Sequence, residues 1–443
     1  MKDSILLLPI LIPLIAGLLT LVSPKGLRFV KEALALFSTL LVFLLTVLLF
    51  KNNIFYSLPW VGFGWEFSLR LYSFSGFILL SVAFFGFLIV FYSTVFMQAK
   101  KFLNQFYFYF LITLAFVNGV VLADNLLLLL FFWEGLLLAL FGMIAIGRED
   151  AYKTATKAFI IVGITDLCMM IGIGLVGYLA KTLTISQIHL PLGSLGSLAF
   201  VFLMIGAISK GGSMPFHSWI PDAAVDAPLP FMALIPASLE KLVGIYFLTR
   251  ISMDLFVLDS HSWVSLMLMI IGCVTIVAAV MMALVQKDYK RLLSYHAISQ
   301  VGYMILGIGT CLPVGIIGGL FHMINNALYK SCLFLTGGAV ERQAGTTNLE
   351  KLGGLVSKMP VTFICFLITA LSISGVPPFN GFFSKELIYD AALERGSIFY
   401  LAALLGSFFT AASFLKLGHA AYLGKLGEKN KNFWLSPFGV EGA

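Results

Sequence analysis

Apolar runs of roughly twenty residues recur from end to end of this 443-residue chain, separated by short polar connections. Coiled as an α-helix, a run of that length matches the apolar layer of a bilayer, so the pattern predicts a bundle of spanning helices. About thirteen spans are expected, near 4–22, 32–50, 73–97, 105–124, 125–146, 158–179, 196–215, 228–249, 262–286, 292–310, 312–337, 361–391 and 397–422. The period-2 alternation of a membrane barrel is missing, and no polar stretch is long enough for a soluble catalytic domain. The run after Met1-Lys2-Asp3 lacks a small-residue cleavage site and reads as the first span rather than a signal peptide.

Two spans carry breakers in matching places. The seventh runs from Ile208 through Lys210, Gly211, Gly212 and Pro215 to Phe216, and the twelfth from Ile373 through Gly375, Pro377 and Pro378 to Phe379. Both contain G-x-x-P-F. Proline removes a backbone donor and crowds the preceding turn, so both spans are expected to break within the membrane. They lie five spans apart, and a five-span repeat enters the membrane from opposite sides. The expected architecture is therefore an all-α integral membrane protein with two inverted five-helix repeats, broken at helices 7 and 12. Residues 1–104 would hold helices 1–3, 105–250 the first repeat, 262–422 the second, and 423–443 a C-terminal tail. Paired Gly/Pro-interrupted spans point to a transport site.

Composition sharpens this picture. The chain is 60% hydrophobic and 11% charged, yet Glu134, Lys210, Lys241, Lys330 and Lys385 fall inside apolar stretches. An ionisable group at the centre of a membrane helix costs at least ~2.5–3.5 kcal/mol, so such groups mark ion pathways. Burial disfavours a lone charge. An ionised Glu134 therefore needs a partner from another helix, and Lys210, at a helix break, is the partner expected. Separating that pair would release a proton and re-forming it would favour recapture. His322, Asn326 and Lys330 follow an i, i+4, i+8 pattern that puts them on one helix face. Histidine suits proton transfer because its ordinary pKa lies near working pH. Lys241 sits near mid-depth, and Lys385 follows the second break as the group facing the far side. Asp166, His296, Glu386, Lys416 and His419 form a second tier.

The net charge of +7 comes without a basic stripe interleaved with aromatics, which argues against nucleic acid. Of the 28 Lys and Arg, seventeen fall in odd-numbered connections and the C-terminal tail, and six in the N-terminus and even-numbered connections. By the positive-inside rule this places the N-terminus outside and the C-terminus inside. The five cysteines are scattered without a C-x-x-C, which argues against zinc or iron–sulfur ligation and leaves no metal site expected.

Five segments carry a family resemblance: W-E-G at Trp133 to Gly135; K-x-G-x-x-P-F-H-x-W-x-P-D-A at Lys210 to Ala223; D-A-P-x-P at Asp226 to Pro230; L-S-Y-H-x-I-S-Q-x-G-Y at Leu293 to Tyr303; and P-P-F-N-G-F-F-S-K-E at Pro377 to Glu386. Over nearly its whole length the chain resembles the antiporter-like subunits of respiratory complex I, of group 4 membrane-bound [NiFe] hydrogenases and related ferredoxin-linked complexes, and of Mrp-type antiporters. The resemblance implies that Glu134 and Lys210 form the carboxylate–lysine pair, that Lys241, His322 and Lys330 form the central relay, and that Lys385 is the exit lysine. Two departures stand out. The family usually has a fourteenth span, sometimes with a lateral helix, and Asn326 stands where a histidine is common. The 237–246 segment looks closer to hydrogenase-type and ferredoxin-linked complexes, and Tyr295-His296 is similar to Mrp-type chains.

The resulting expectation is a non-redox, proton-translocating subunit of a complex-I-like redox complex in the cell membrane. Two half-channels would be joined by Lys210, Lys241, His322, Lys330 and Lys385. Iron–sulfur, NiFe or flavin cofactors would belong to partner subunits, among other membrane-arm subunits and a peripheral redox arm, with none in this chain. The alternatives are an Mrp-type Na⁺/H⁺ antiporter subunit and a scaffold with a vestigial channel.

Overall fold

The computed structural model describes residues 3–24, 26, 28–60, 62, 65–98 and 101–425. Lys2, Lys25, Lys100 and all of the tail beyond Lys425 lie outside the described residues. Among the described residues sixteen α-helices follow one another: α1 (Leu8–Val22), α2 (Arg28–Leu49), α3 (Ser73–Phe96), α4 (Leu103–Leu122), α5 (Leu126–Ala145), α6 (Ala151–Ala180), α7 (Ser194–Gly211), α8 (Ile220–Asp226), α9 (Leu229–Leu234), α10 (Glu240–Arg250), α11 (Trp263–Leu284), α12 (Tyr289–Gly309), α13 (Pro313–Ala344), α14 (Pro360–Ser374), α15 (Asn380–Arg395) and α16 (Ser397–Gly418). Each of the thirteen expected stretches falls on helix. Among the described residues, however, ten helices are long and apolar enough to cross a membrane, so a count of thirteen is not established. The shortfall has a physical cause. Helices α12 and α13 carry the polar groups described below, and the break shortens α14 to 15 residues.

A two-stranded antiparallel hairpin between α2 and α3 departs from the all-helical expectation. Its strands β1 (Ile54–Pro59) and β2 (Glu66–Leu71) pair Ile54 with Leu71 and Pro59 with Glu66. The period-2 signal is short and was masked by the apolar runs on either side.

The helices cluster into two compact units. One comprises Met1–Gly211, Asp226–Leu234 and Leu242–Leu258; the other comprises Gly212–Val225, Ile235–Lys241 and Asp259–Ala443. In the first, Asn118 of α4 donates to Pro9 O at 2.7 Å, a carbonyl left without its helical donor by Pro13. Arg250, expected in a connection, is instead buried at the end of α10. It reaches Asp254 at 3.0 Å, Asp124 at 3.6 Å and Ala123 O at 3.2 Å. In the second unit, α11 and α12 pack at a glycine crossing. A β-carbon on Gly272 would lie 2.8 Å from Gly302 O, the small-residue approach that membrane helices use in place of hydrophobic attraction.

Both expected breaks are present. Helix α7 ends at Gly211 and the chain resumes as α8 at Ile220; α14 ends at Ser374 and resumes as α15 at Asn380. The residue after each stop is a glycine in the left-handed region, Gly212 at φ +80° and Gly375 at φ +78°. That conformation is cheap only for glycine. The Met214–Pro215 and Pro377–Pro378 bonds are both cis.

Candidate functional site

In the first unit the charged residues meet where α5, α6 and α7 adjoin. Trp133 Nε1 donates to Asp166 Oδ1 at 2.8 Å, and Lys210 Nζ lies 3.6 Å from Asp166 Oδ2. The ammonium also sits 5.0 Å from the Trp133 ring centroid. Asp166 and Lys210 are buried, at 1% and 2% exposure. One residue along each helix, Thr165 Oγ1 donates to Ser209 Oγ at 2.8 Å and extends the polar seam.

The ion pair corrects the expected partnership. Lys210 is paired with Asp166, not Glu134. Glu134 is half-buried, makes no ion pair among the described residues, and leaves Oε1 without a hydrogen bond. Adjacent side chains on a helix diverge by about 100°, so directing Trp133 at Asp166 turns Glu134 aside. Glu134 directly follows Trp133 on α5, the residue whose indole holds Asp166.

The second unit holds a longer set. Lys241 is fully buried beside Gly212, and its Nζ has no hydrogen-bonding partner among the described residues. It follows a π-helical turn, Ile235–Leu239, whose Ala237 carbonyl accepts from Asn326 Nδ2 at 3.3 Å. The predicted stripe on α13 is buried throughout, and its members have different partners. His322 shares hydrogen bonds with Ser384 Oγ through Nδ1 at 2.9 Å and with Gln300 Oε1 through Nε2 at 3.0 Å. Tyr329 OH lies 3.3 Å from the same Nε2. Lys330 Nζ donates to Leu293 O at 2.7 Å and stands near the rings of Phe334 and Phe414. His296, on α12, meets Ser413 Oγ at 2.8 Å.

Lys385 completes this set. Its Nζ donates to Ile373 O, in the last turn of α14, at 2.7 Å, and to Ser407 Oγ at 2.9 Å. Carbonyls in the last turn of a helix have no intrahelical donor, so a buried amine there finds an acceptor ready. Ser407 is also bonded to Tyr389 and Tyr303. The break itself is clasped by side chains. Asn325 Nδ2 donates to Asn380 O at 2.9 Å, Asn380 Nδ2 to Asn325 Oδ1 at 2.8 Å, and Ser372 Oγ to Asn380 Oδ1 at 2.5 Å.

Three second-tier residues do not join these sets. Glu386, Lys416 and His419 are exposed on this chain. Lys416 Nζ caps the end of α11 through Leu284 O at 2.7 Å and Gln286 O at 2.8 Å. Helical phase explains Glu386, since burying Lys385 turns its neighbour outward. Sequence reasoning missed Gln300, Ser384, Ser407, Asn325 and Asn380. These are neutral residues that read as ordinary helix polars until a partner helix supplies the contact. Among the described residues there is no group of three or more His, Cys, Asp or Glu able to hold a metal.

Amines, a carboxylate and histidines buried in a helical membrane protein are costly placements that mark a candidate functional site. The family described as "NADH:quinone oxidoreductase/Mrp antiporter, TM" matches residues 123–410, and the chain belongs to that family. It is 32% identical over 409 residues to the Na(+)/H(+) antiporter subunit A1 of Staphylococcus haemolyticus (strain JCSC1435), covering 84% of this chain and 50% of that relative. The chain thus spans about half the length of the curated relatives it matches. Among solved structures, a chain of the membrane-bound sulfane sulfur reductase, an archaeal respiratory membrane complex, superposes with a TM-score of 0.86. The identity is 26%, over 99% of this chain and 73% of that one. A chain of the Mrp complex from Dietzia sp. DQ12-45-1b also gives 0.86, at 25% identity over 96% and 81%.

Proposed function

We propose that this chain is a proton-handling subunit of an Mrp-type Na⁺/H⁺ antiporter assembly, working with other membrane subunits. The observation that carries the reading is the burial of Lys210, Lys241, His322, Lys330 and Lys385 in a chain whose curated relative is named a Na(+)/H(+) antiporter subunit. This reverses the order of preference drawn from the 237–246 segment.

In this reading two carboxylates compete for Lys210. Asp166 holds the ammonium in the present state, and Glu134, next to Trp133 on α5, is the second acceptor. Exchange between them would hand the ammonium from one carboxylate to the other. Lys385 on a helix end and Lys241 without an acceptor among the described residues are two further stations. The charge bias supports the N-terminus outside and the C-terminus inside. It survives the finding that Lys31, Arg250 and Lys290 are buried, since these come from both sides of the count.

The superposition of 99% of this chain on the sulfane sulfur reductase chain favours a second reading, a subunit of a respiratory redox complex. Any iron–sulfur, NiFe or flavin group would then sit in partner subunits. The test is a Na⁺ pulse on vesicles carrying the native complex, with internal pH followed by a dye. Proton flux without an electron donor supports the antiporter. Flux only with a donor, and redox subunits in the mass spectrum of the purified complex, overturns it in favour of the second reading.

A further inference from the structure

Both helix breaks lay a lysine against a glycine. At Gly212 an added β-carbon would stand 2.9 Å from Lys241 Nζ and 2.5 Å from Ile220 Cδ1. At Gly375 the three nearest atoms all belong to Lys385: Cδ at 3.1 Å, Nζ at 3.8 Å and Cε at 4.0 Å. Both lysines are buried, and they reach the breaks from different elements, Lys241 from the start of α10 and Lys385 from α15. The end of a helix offers unpaired carbonyls and the negative pole of its dipole, so it attracts an ammonium. Lys385 shows that attraction satisfied, through Ile373 O. A β-carbon at either glycine would press on the lysine and force its side chain to shift.

We infer that Gly212 and Gly375 are positioning residues for ion translocation, their bare α-carbons forming the floors on which the Lys241 and Lys385 side chains rest at the two breaks. The inference rests on the proton-handling role proposed above. Glycine is required here for two separable reasons, the left-handed backbone and the room for lysine. Gly345 isolates the first: it caps α13 at φ +63°, and a β-carbon there would meet nothing within 4 Å.

The experiment measures Na⁺-driven proton flux against pH in vesicles carrying the assembled complex, for wild type, Gly375→Ala and Gly345→Ala. Gly375→Ala is expected to displace the midpoint of the pH profile by about half a unit or more, roughly a threefold change in proton affinity. Gly345→Ala keeps the wild-type midpoint. A Gly375→Ala midpoint at the wild-type value, or equal displacement in both variants, overturns the inference. If Gly375→Ala does not assemble, Gly375→Ala/Lys385→Ala decides: recovered assembly shows that the clash is with the lysine, and continued failure overturns the inference. Wild-type vesicles without flux at any pH sink the functional reading itself, whereas active wild type with an unmoved Gly375→Ala profile sinks the inference alone.

Discussion

Asp166→Ala is the substitution whose cost follows most directly from the geometry. It removes the carboxylate that lies 3.6 Å from Lys210 Nζ and accepts from Trp133 Nε1. At an effective dielectric constant of about 20 the attraction across that distance is roughly 4–5 kcal/mol before desolvation is subtracted. Removing one member of a buried pair leaves the other unpaired, and the net loss is about 3–5 kcal/mol. Asp166→Asn keeps an acceptor for Trp133 while deleting the charge, so it should fall between wild type and alanine. The assay is thermal unfolding of the purified complex through a double-mutant cycle of Asp166→Ala, Lys210→Met and the pair. The two sites share one interaction, so a coupling of about 1–3 kcal/mol is expected, with the double variant more stable than the sum of the singles predicts. Glu134→Gln should leave the melting temperature unchanged, because Glu134 holds no ion pair. Additivity of Asp166→Ala and Lys210→Met within ~0.5 kcal/mol, together with a strong coupling between Glu134 and Lys210, would refute the partner assignment.

Two further outcomes follow from other parts of the structure. Arg250→Met strands the fully buried Asp124 without its cation and should cost about 3–5 kcal/mol, seen as loss of assembled complex; Arg250→Lys should recover only part, lacking the planar fork that spans Asp254, Asp124 and Ala123 O. Normal assembly of Arg250→Met would show the cluster to be dispensable. The exposed Lys287–Glu350 pair, 2.7 Å apart, holds the Glu350 carboxyl below its usual range and the Lys287 amine above its own. Its contribution is present between those ordinary values, fades as pH falls through the lowered carboxylate value, and fades again as pH rises through the raised amine value. Salt screens such a pair, so Lys287→Ala should not measurably change the melting temperature at physiological ionic strength, and a clear drop there would contradict a surface role.

Much of the fold was legible because membrane helices obey one strong rule, that apolar length must match the bilayer. The breaks at Gly212 and Gly375 were legible too, since glycine and proline act through their own backbones. Partners were harder. The choice of Asp166 over Glu134 depends on which face of α5 turns inward, and in a helix apolar all round neither face is marked. Trp133 supplied the only hint, an indole N–H that needs an acceptor when buried. Gln300, Ser384 and Ser407 carry no charge to advertise them, and their roles exist only through His322 and Lys385 on other helices. Glu386, Lys416 and His419 lie apart from the buried sets for the opposite reason. Their charge drew notice, but their helical phase or position turned them outward. The hairpin at 54–71 escaped because two six-residue strands leave little periodicity between flanking spans.

The proposed proton-carrying role of the buried amines is decided by flux through complexes altered at a single site. Vesicles bearing Lys210→Met or Glu134→Gln, with assembly verified by native gel, are given the same Na⁺ pulse as wild type. The account predicts that internal pH no longer responds in either variant. A wild-type rate of alkalinisation or acidification in the assembled Lys210→Met complex would contradict it.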